Sequence, residues 1–124
     1  IENPISAAPG FTIGNVHVLA GVPRIMQAML ERLVPTLDGG PRIEARAVHV
    51  IGLSEGLLAE GLGQVQARFP AVEIGSYPFY RASGNGVAIV GRSNEVKAVQ
   101  DAITQVSLLI GSFGGTVIPG EPTL

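Results

Sequence analysis

The chain predicts an α+β fold, a two-layer sandwich in which a small antiparallel sheet is covered on one face by two helices. Three observations predict it. Between residues 42 and 110, strand-like and helix-like apolar spacings alternate in the order β-α-β-β-α. The two later strand runs, residues 72–80 and 87–92, flank Ala82-Ser83-Gly84-Asn85-Gly86, which has hairpin composition. Both helical runs carry an apolar stripe at steps of three and four, Leu58, Leu62, Val65 and Phe69 in one and Val96, Val99, Ile103, Val106 and Ile110 in the other. Ahead of the sandwich, residues 1–38 predict the last strand and helix of an α/β unit, and Asp38-Gly39-Gly40-Pro41 is the linker between the two.

The elements follow in order. Residues 1–14 lack periodicity and read as loop, and residues 15–19 read as a short strand. Pro23 suits a first helical position, where its missing N–H is not needed. Met26, Met29, Leu30, Leu33 and Leu37 then recur at helical spacing, and Pro35 ends or kinks that helix near its last turn. Residues 42–51 alternate at first, with Ile43, Ala45 and Ala47 on one face and Arg42, Glu44 and Arg46 on the other, the pattern of a half-buried strand. Ser54 is placed to cap the next helix, with Glu55 at its favourable dipole end, and Pro70 stops it. Pro78 puts its strand at an edge or a bulge. Ser93 is read as the cap of the last helix, Gly111, Gly114 and Gly115 as its end, and residues 111–124 as a mobile tail.

Composition narrows the functions. With 124 residues the chain is one domain, or one small domain plus a remnant, and 46% hydrophobic content supplies a core. A net charge of −2, with only eight scattered basic residues, argues against nucleic-acid binding by phosphate neutralisation. There is no cysteine, hence no disulfide, thiolate metal site or thiol nucleophile. The longest apolar run without a charge, residues 102–118, is broken by Gln105, two serines and several glycines, so no membrane partner is expected. No signal-peptide pattern is present, and a cytoplasmic location is the expectation.

Two segments invite a phosphate. Gly21-Val22-Pro23 stands at a strand-to-helix turn, where backbone N–H groups and a close-approaching glycine favour anions, and Arg24 adds a charge. Residues 6–10, Pro9 and Gly10 among them, could form one wall of the same crevice. The plainer reading of both is an ordinary turn and an ordered loop. His17 and His49 have no ligand partner at metal spacing and read as structural. Glu55 and Glu60 read as a solvated helix face, and Tyr77, Phe79 and Tyr80 as core and edge packing rather than a stacking platform.

The run Ala8-Pro9-Gly10-Phe11, the strand at 15–19, and Ala20-Gly21-Val22-Pro23 with Met26 together resemble the end of a molybdopterin-binding-type domain. That domain occurs in the competence/damage-inducible protein A family and in the N-terminal region of eukaryotic FAD synthases. Glu55, Leu58, Leu62, Phe69-Pro70 and Ile74-Gly75-Ser76-Tyr77-Pro78-Phe79 are similar to the KH-type domain that follows in the same proteins, so the resemblance covers about residues 3–110. It implies an intact protein that is a nucleotide pyrophosphatase of the ADP-ribose or FAD type, using a divalent metal such as Mg, or a binder of pterin phosphate. Gly21, Val22, Pro23, Arg24, Pro9 and Gly10 would contact the nucleotide or pterin phosphate. The catalytic residues would lie upstream, leaving this chain an inactive C-terminal fragment with no cofactor of its own. Ala20 replaces the family's usual Pro, and Arg24-Ile25 replaces a Ser-Glu pair, which removes an acidic group. The KH-type Gly-x-x-Gly loop is missing, so RNA binding does not follow from the fold. The alternative is a non-catalytic structural or dimerisation module, and the apolar stripe over residues 26–33, read as exposed, makes a homo-oligomer the expected state.

Overall fold

A computed structural model describes residues 1–123, and the chain divides into two compact units, Ile1–Gly40 and Pro41–Leu124. The first contains β1 (Phe11–Ile13), β2 (Val16–Val18), α1 (Pro23–Leu33) and a 3₁₀ turn, Val34–Thr36. The second contains β3 (Glu44–Ile51), α2 (Glu55–Arg68), β4 (Glu73–Phe79), β5 (Gly86–Ser93), α3 (Val96–Ser112) and β6 (Ile118–Pro119).

In the first unit the expected loop over residues 1–14 is corrected: its end is a strand. β1 pairs antiparallel with β2, Ile13 opposite Val16, and Gly14 takes φ 59° at the first central position of the two-residue turn, a conformation that favours glycine. Asn3 organises the segment before it, its Oδ1 accepting from the N–H groups of Ile5 and Ser6, both at 2.9 Å. α1 starts with Pro23 at its first position, and Pro35 tightens its exit into the 3₁₀ turn. Only Met29 and Leu33 of its apolar stripe are buried.

The second unit has the predicted α+β class. Its sheet runs β4-β5-β3-β6, antiparallel throughout. Val48 and Val50 of β3 stand opposite Ile89 and Val87 of β5, and these four meet Leu58, Leu62 and Val65 of α2 and Val106 and Ile110 of α3 in one buried cluster. Burying a side chain of that size stabilises by about 1.5–3 kcal/mol. The helices pack closely where Gly61 faces the Leu109 side chain, whose terminal methyls a Cβ would have to displace.

Four further expectations are corrected here. The inward face of β3 carries Val48 and Val50, so Ile43, Ala45 and Ala47 belong to the opposite face, and Ile43 is exposed. On α3, Val96 is exposed and Ala102 is fully buried in its place. Ser93 is the last residue of β5, and its Oγ accepts from Glu95 N–H at 3.1 Å, while Glu95 is the residue that precedes α3. The presumed tail supplies β6, which pairs Ile118 with His49 and Pro119 with Val48.

Both sheet edges are blunted. At β4 the Gln66 side chain accepts from Ile74 N–H at 3.0 Å and donates to Val72 O at 2.6 Å. Pro78, four residues further and on the same side, offers no N–H. The opposite edge is the two-residue β6, which contains Pro119.

Candidate functional site

The residues singled out for phosphate fall in two settings within the first unit. Val22 is the residue before α1, extended at φ −70° and ψ 122°, with no side-chain cap and no acidic group in the first turn. Gly21 and Arg24 flank it, exposed, so Gly21, Val22, Pro23 and Arg24 share one helix end. Arg24 makes no salt bridge among the described residues. Gly10 sits differently. It exchanges backbone hydrogen bonds with Ile1, at 3.1 and 3.0 Å, and a Cβ there would come within 2.5 Å of Val18 O and 2.8 Å of Met29 Cε. Packing alone accounts for that glycine. Pro9 beside it is exposed.

The histidines have structural partners. His17 lies opposite Thr12, with 2.8 Å between Nδ1 and Oγ1. His49 is buried, its Nδ1 2.8 Å from Gly120 O and its ring edge-on to Phe79 at 6.0 Å. The Arg81 guanidinium lies 5.4 Å from the centre of the same Phe79 ring. Tyr77 and Tyr80 are exposed rather than core. Among the described residues no three His, Cys, Asp or Glu side chains come together as a metal site, and no helix is long and apolar enough to cross a membrane.

The structure adds a cavity that sequence reasoning missed. It is a depression open to solvent, of about 500 Å³, where the β3–α2 turn meets the β4–β5 hairpin. Gly52, Ser54, Glu55, Gly56, Tyr80 and Asn85 are among its lining residues. Gly52 N–H donates to Asn85 O at 2.8 Å, which ties the two loops together. Ser54 caps α2 as expected, its Oγ accepting from Leu57 N–H. The Ser76 hydroxyl donates to Glu55 Oε1, and Glu55 and Glu60 are both exposed, as expected of a solvated helix face. The clustering of Gly52, Gly56, Gly84 and Gly86 around two loops was the available signal. It could not be read without the register that brings those loops to one end of the sheet.

An antiparallel sheet with two helices on one face, blunted edges and a loop-end cavity defines a compact α+β module. Residues 46–112, more than half of the chain, match the family model described as "FAD synthase, middle domain", and the chain belongs to that family. The match begins inside β3 and ends with α3. A curated relative from Archaeoglobus fulgidus, described only as "Protein", is 40% identical over 78 residues, 63% of this chain and 33% of the relative. The chain thus spans about a third of the length of that relative. Among solved structures, the de novo designed protein Ferredog-Diesel is similar at TM-score 0.41 and 13% identity, over 68% of this chain and 90% of that one. An unknown protein from Galdieria sulphuraria gives TM-score 0.37 and 19% identity, over 93% and 80%.

Proposed function

We propose that this chain is a non-catalytic module of a longer nucleotide-handling protein of the FAD synthase kind. In this reading the longer protein joins a molybdopterin-binding-type domain to a KH-type domain, as in the competence/damage-inducible protein A family. It is a pyrophosphatase acting on an ADP-ribose- or FAD-type nucleotide with a divalent metal, or a binder of pterin phosphate. The observation that carries the reading is the match of residues 46–112 to a domain named for its middle position in FAD synthase. The apolar surface of the Ile1–Gly40 unit supports it. Phe11, Ile13, Val16 and Val22 are all more than half exposed, at 53, 70, 60 and 57%. Such a surface favours contact with further polypeptide. Within that assembly the α1 end, Gly21 to Arg24, contributes backbone N–H groups and one guanidinium to a bound phosphate.

The test is metal-dependent release of AMP from ADP-ribose and from FAD, with the 124-residue chain and the longer Archaeoglobus relative assayed side by side. Activity is expected in the longer protein with Mg and not in the chain alone. Turnover by the chain alone would contradict the assignment of a non-catalytic role.

A further inference from the structure

The two edges of the Pro41–Leu124 sheet are guarded unequally. Gln66 and Pro78 blunt β4 near both of its ends. On the other side β6 pairs only with Val48 and His49, whereas β3 runs from Glu44 to Ile51. Two hydrogen bonds fix which backbone groups of β3 face outward. Gly52 N–H donates to Asn85 O on the β5 side, and Gly120 N–H donates to Ala47 O on the β6 side. The N–H and C=O of one residue point the same way in an antiparallel strand, and successive residues alternate. Even-numbered residues of β3 therefore bond toward β5, and odd-numbered ones turn their backbone groups off the sheet. Ala47 and His49 meet the β6 segment there. Ala45 has no backbone partner on that side among the described residues. Its N–H and C=O are an open strand edge, and residues 43–47 contain no proline, lysine or bulge to guard it.

The side chains flanking Ala45 carry opposite charges. Glu44 and Arg46 pair with each other at 3.5 Å, and their side chains are still 30 and 46% exposed. A second copy laid antiparallel about a two-fold axis at Ala45 would exchange both N–H···O bonds between the two Ala45 residues. It would also set Arg46 of the second copy opposite Glu44, and its Glu44 opposite Arg46. These flanking positions are non-hydrogen-bonded pairs, with Cα atoms about 4.5 Å apart and side chains in close reach. Neighbouring registers are worse. An axis at Glu44 or at Arg46 sets identical charges directly opposite each other. An axis at Ala47 puts the second copy where Gly120 sits.

We propose that β3 is a self-association edge: it pairs antiparallel with β3 of a second copy, centred on Ala45, and joins two sheets into one across an isologous interface. The alternating charges of Glu44 and Arg46 select both the partner and the register. β6 limits the pairing to residues 44–46, because Gly120 occupies the place beside Ala47. The contact is short, so the dimer forms at high protein concentration. This edge is separate from the α1 end and the apolar surface of the Ile1–Gly40 unit, so the two assignments stand or fall separately.

The test is sedimentation equilibrium of the 124-residue chain, with hydrogen exchange followed at the Ala45 amide. That amide is expected to exchange freely in dilute protein and to gain protection as the dimer forms. Arg46→Glu and Glu44→Lys each place like charges opposite one another at both ends of the pairing. Each is expected to weaken dimerisation about tenfold or more. Mixed in equal amounts, the two variants again present opposite charges across the axis and are expected to associate with each other. A Glu44–Arg46 pair that serves only its own chain gives no such recovery on mixing. Should either variant fail to fold, the native chain still decides the matter, since added salt is expected to weaken the dimer together with Ala45 protection. A chain that stays monomeric up to about 1 mM overturns the proposal. So does a dimer that leaves the Ala45 amide unprotected, or one indifferent to both charge changes, either of which would put association on the apolar surface of the first unit.

Discussion

Gln66 makes three hydrogen bonds to backbone from one exit turn. Its Nε2 donates to Phe69 O at 3.2 Å and Val72 O at 2.6 Å, and its Oε1 accepts from Ile74 N–H at 3.0 Å. It closes the α2–β4 connection and covers the start of a sheet edge with the same amide. Gln66→Leu keeps much of the volume but strands these half-buried backbone groups, at a cost of about 1–3 kcal/mol. Urea titration should show that loss as a lower midpoint, with added aggregation from the uncovered edge. An unchanged midpoint would mean that water replaces the amide without penalty. Nothing local in Gln64-Val65-Gln66 distinguishes this glutamine, because its role exists only once β4 returns beside the end of α2. The glycines show the same limit: Gly10 and Gly61 differ from their fellows only in what lies opposite them.

At the level of elements, α3 shows how far a periodic pattern carries. Its 17 residues were legible as a helix, and Val99, Val106 and Ile110 as its buried side. The stripe is nevertheless rotated toward Ala102 and away from Val96, since a small residue seated against the sheet can be buried as fully as a large one. Ile110→Ala should therefore cost about 2–5 kcal/mol, while Val96→Thr stays within about 0.5 kcal/mol. Thermal or urea unfolding of both variants checks this, and equal losses would contradict the packing. β3 was harder to read. Its Ala47-Val48-His49-Val50-Ile51 run is apolar at both parities, so the inward face follows from pairing with Val87 and Ile89, not from the run itself. β6 was unreadable for the opposite reason. Two residues after a glycine cluster carry no period, and they become a strand only through pairing with Val48 and His49 and the Gly120 N–H donating to Ala47 O at 2.9 Å.

For the whole molecule, the two units differ in how much each can stabilise itself. Pro41–Leu124 holds the buried cluster of nine side chains shared by its sheet and both helices, enough for a small domain to fold cooperatively. Ile1–Gly40 has a hairpin of two three-residue strands, one α-helix, and Met29 and Leu33 as its buried apolar side chains. Domains of about 40 residues without disulfide, metal or partner fall at the limit of self-sufficiency, and an isolated two-stranded hairpin is marginal in water. Produced separately, residues 41–124 should keep a dispersed amide spectrum and a single cooperative transition. Residues 1–40 should be unfolded when dilute and should self-associate by light scattering as concentration rises, because ordering the hairpin requires apolar surface beyond what the segment supplies itself. A monomeric, cooperatively folding 1–40 peptide would show that its exposed Phe11, Ile13, Val16 and Val22 need no cover, and would remove the support this surface gives to assembly in a longer protein.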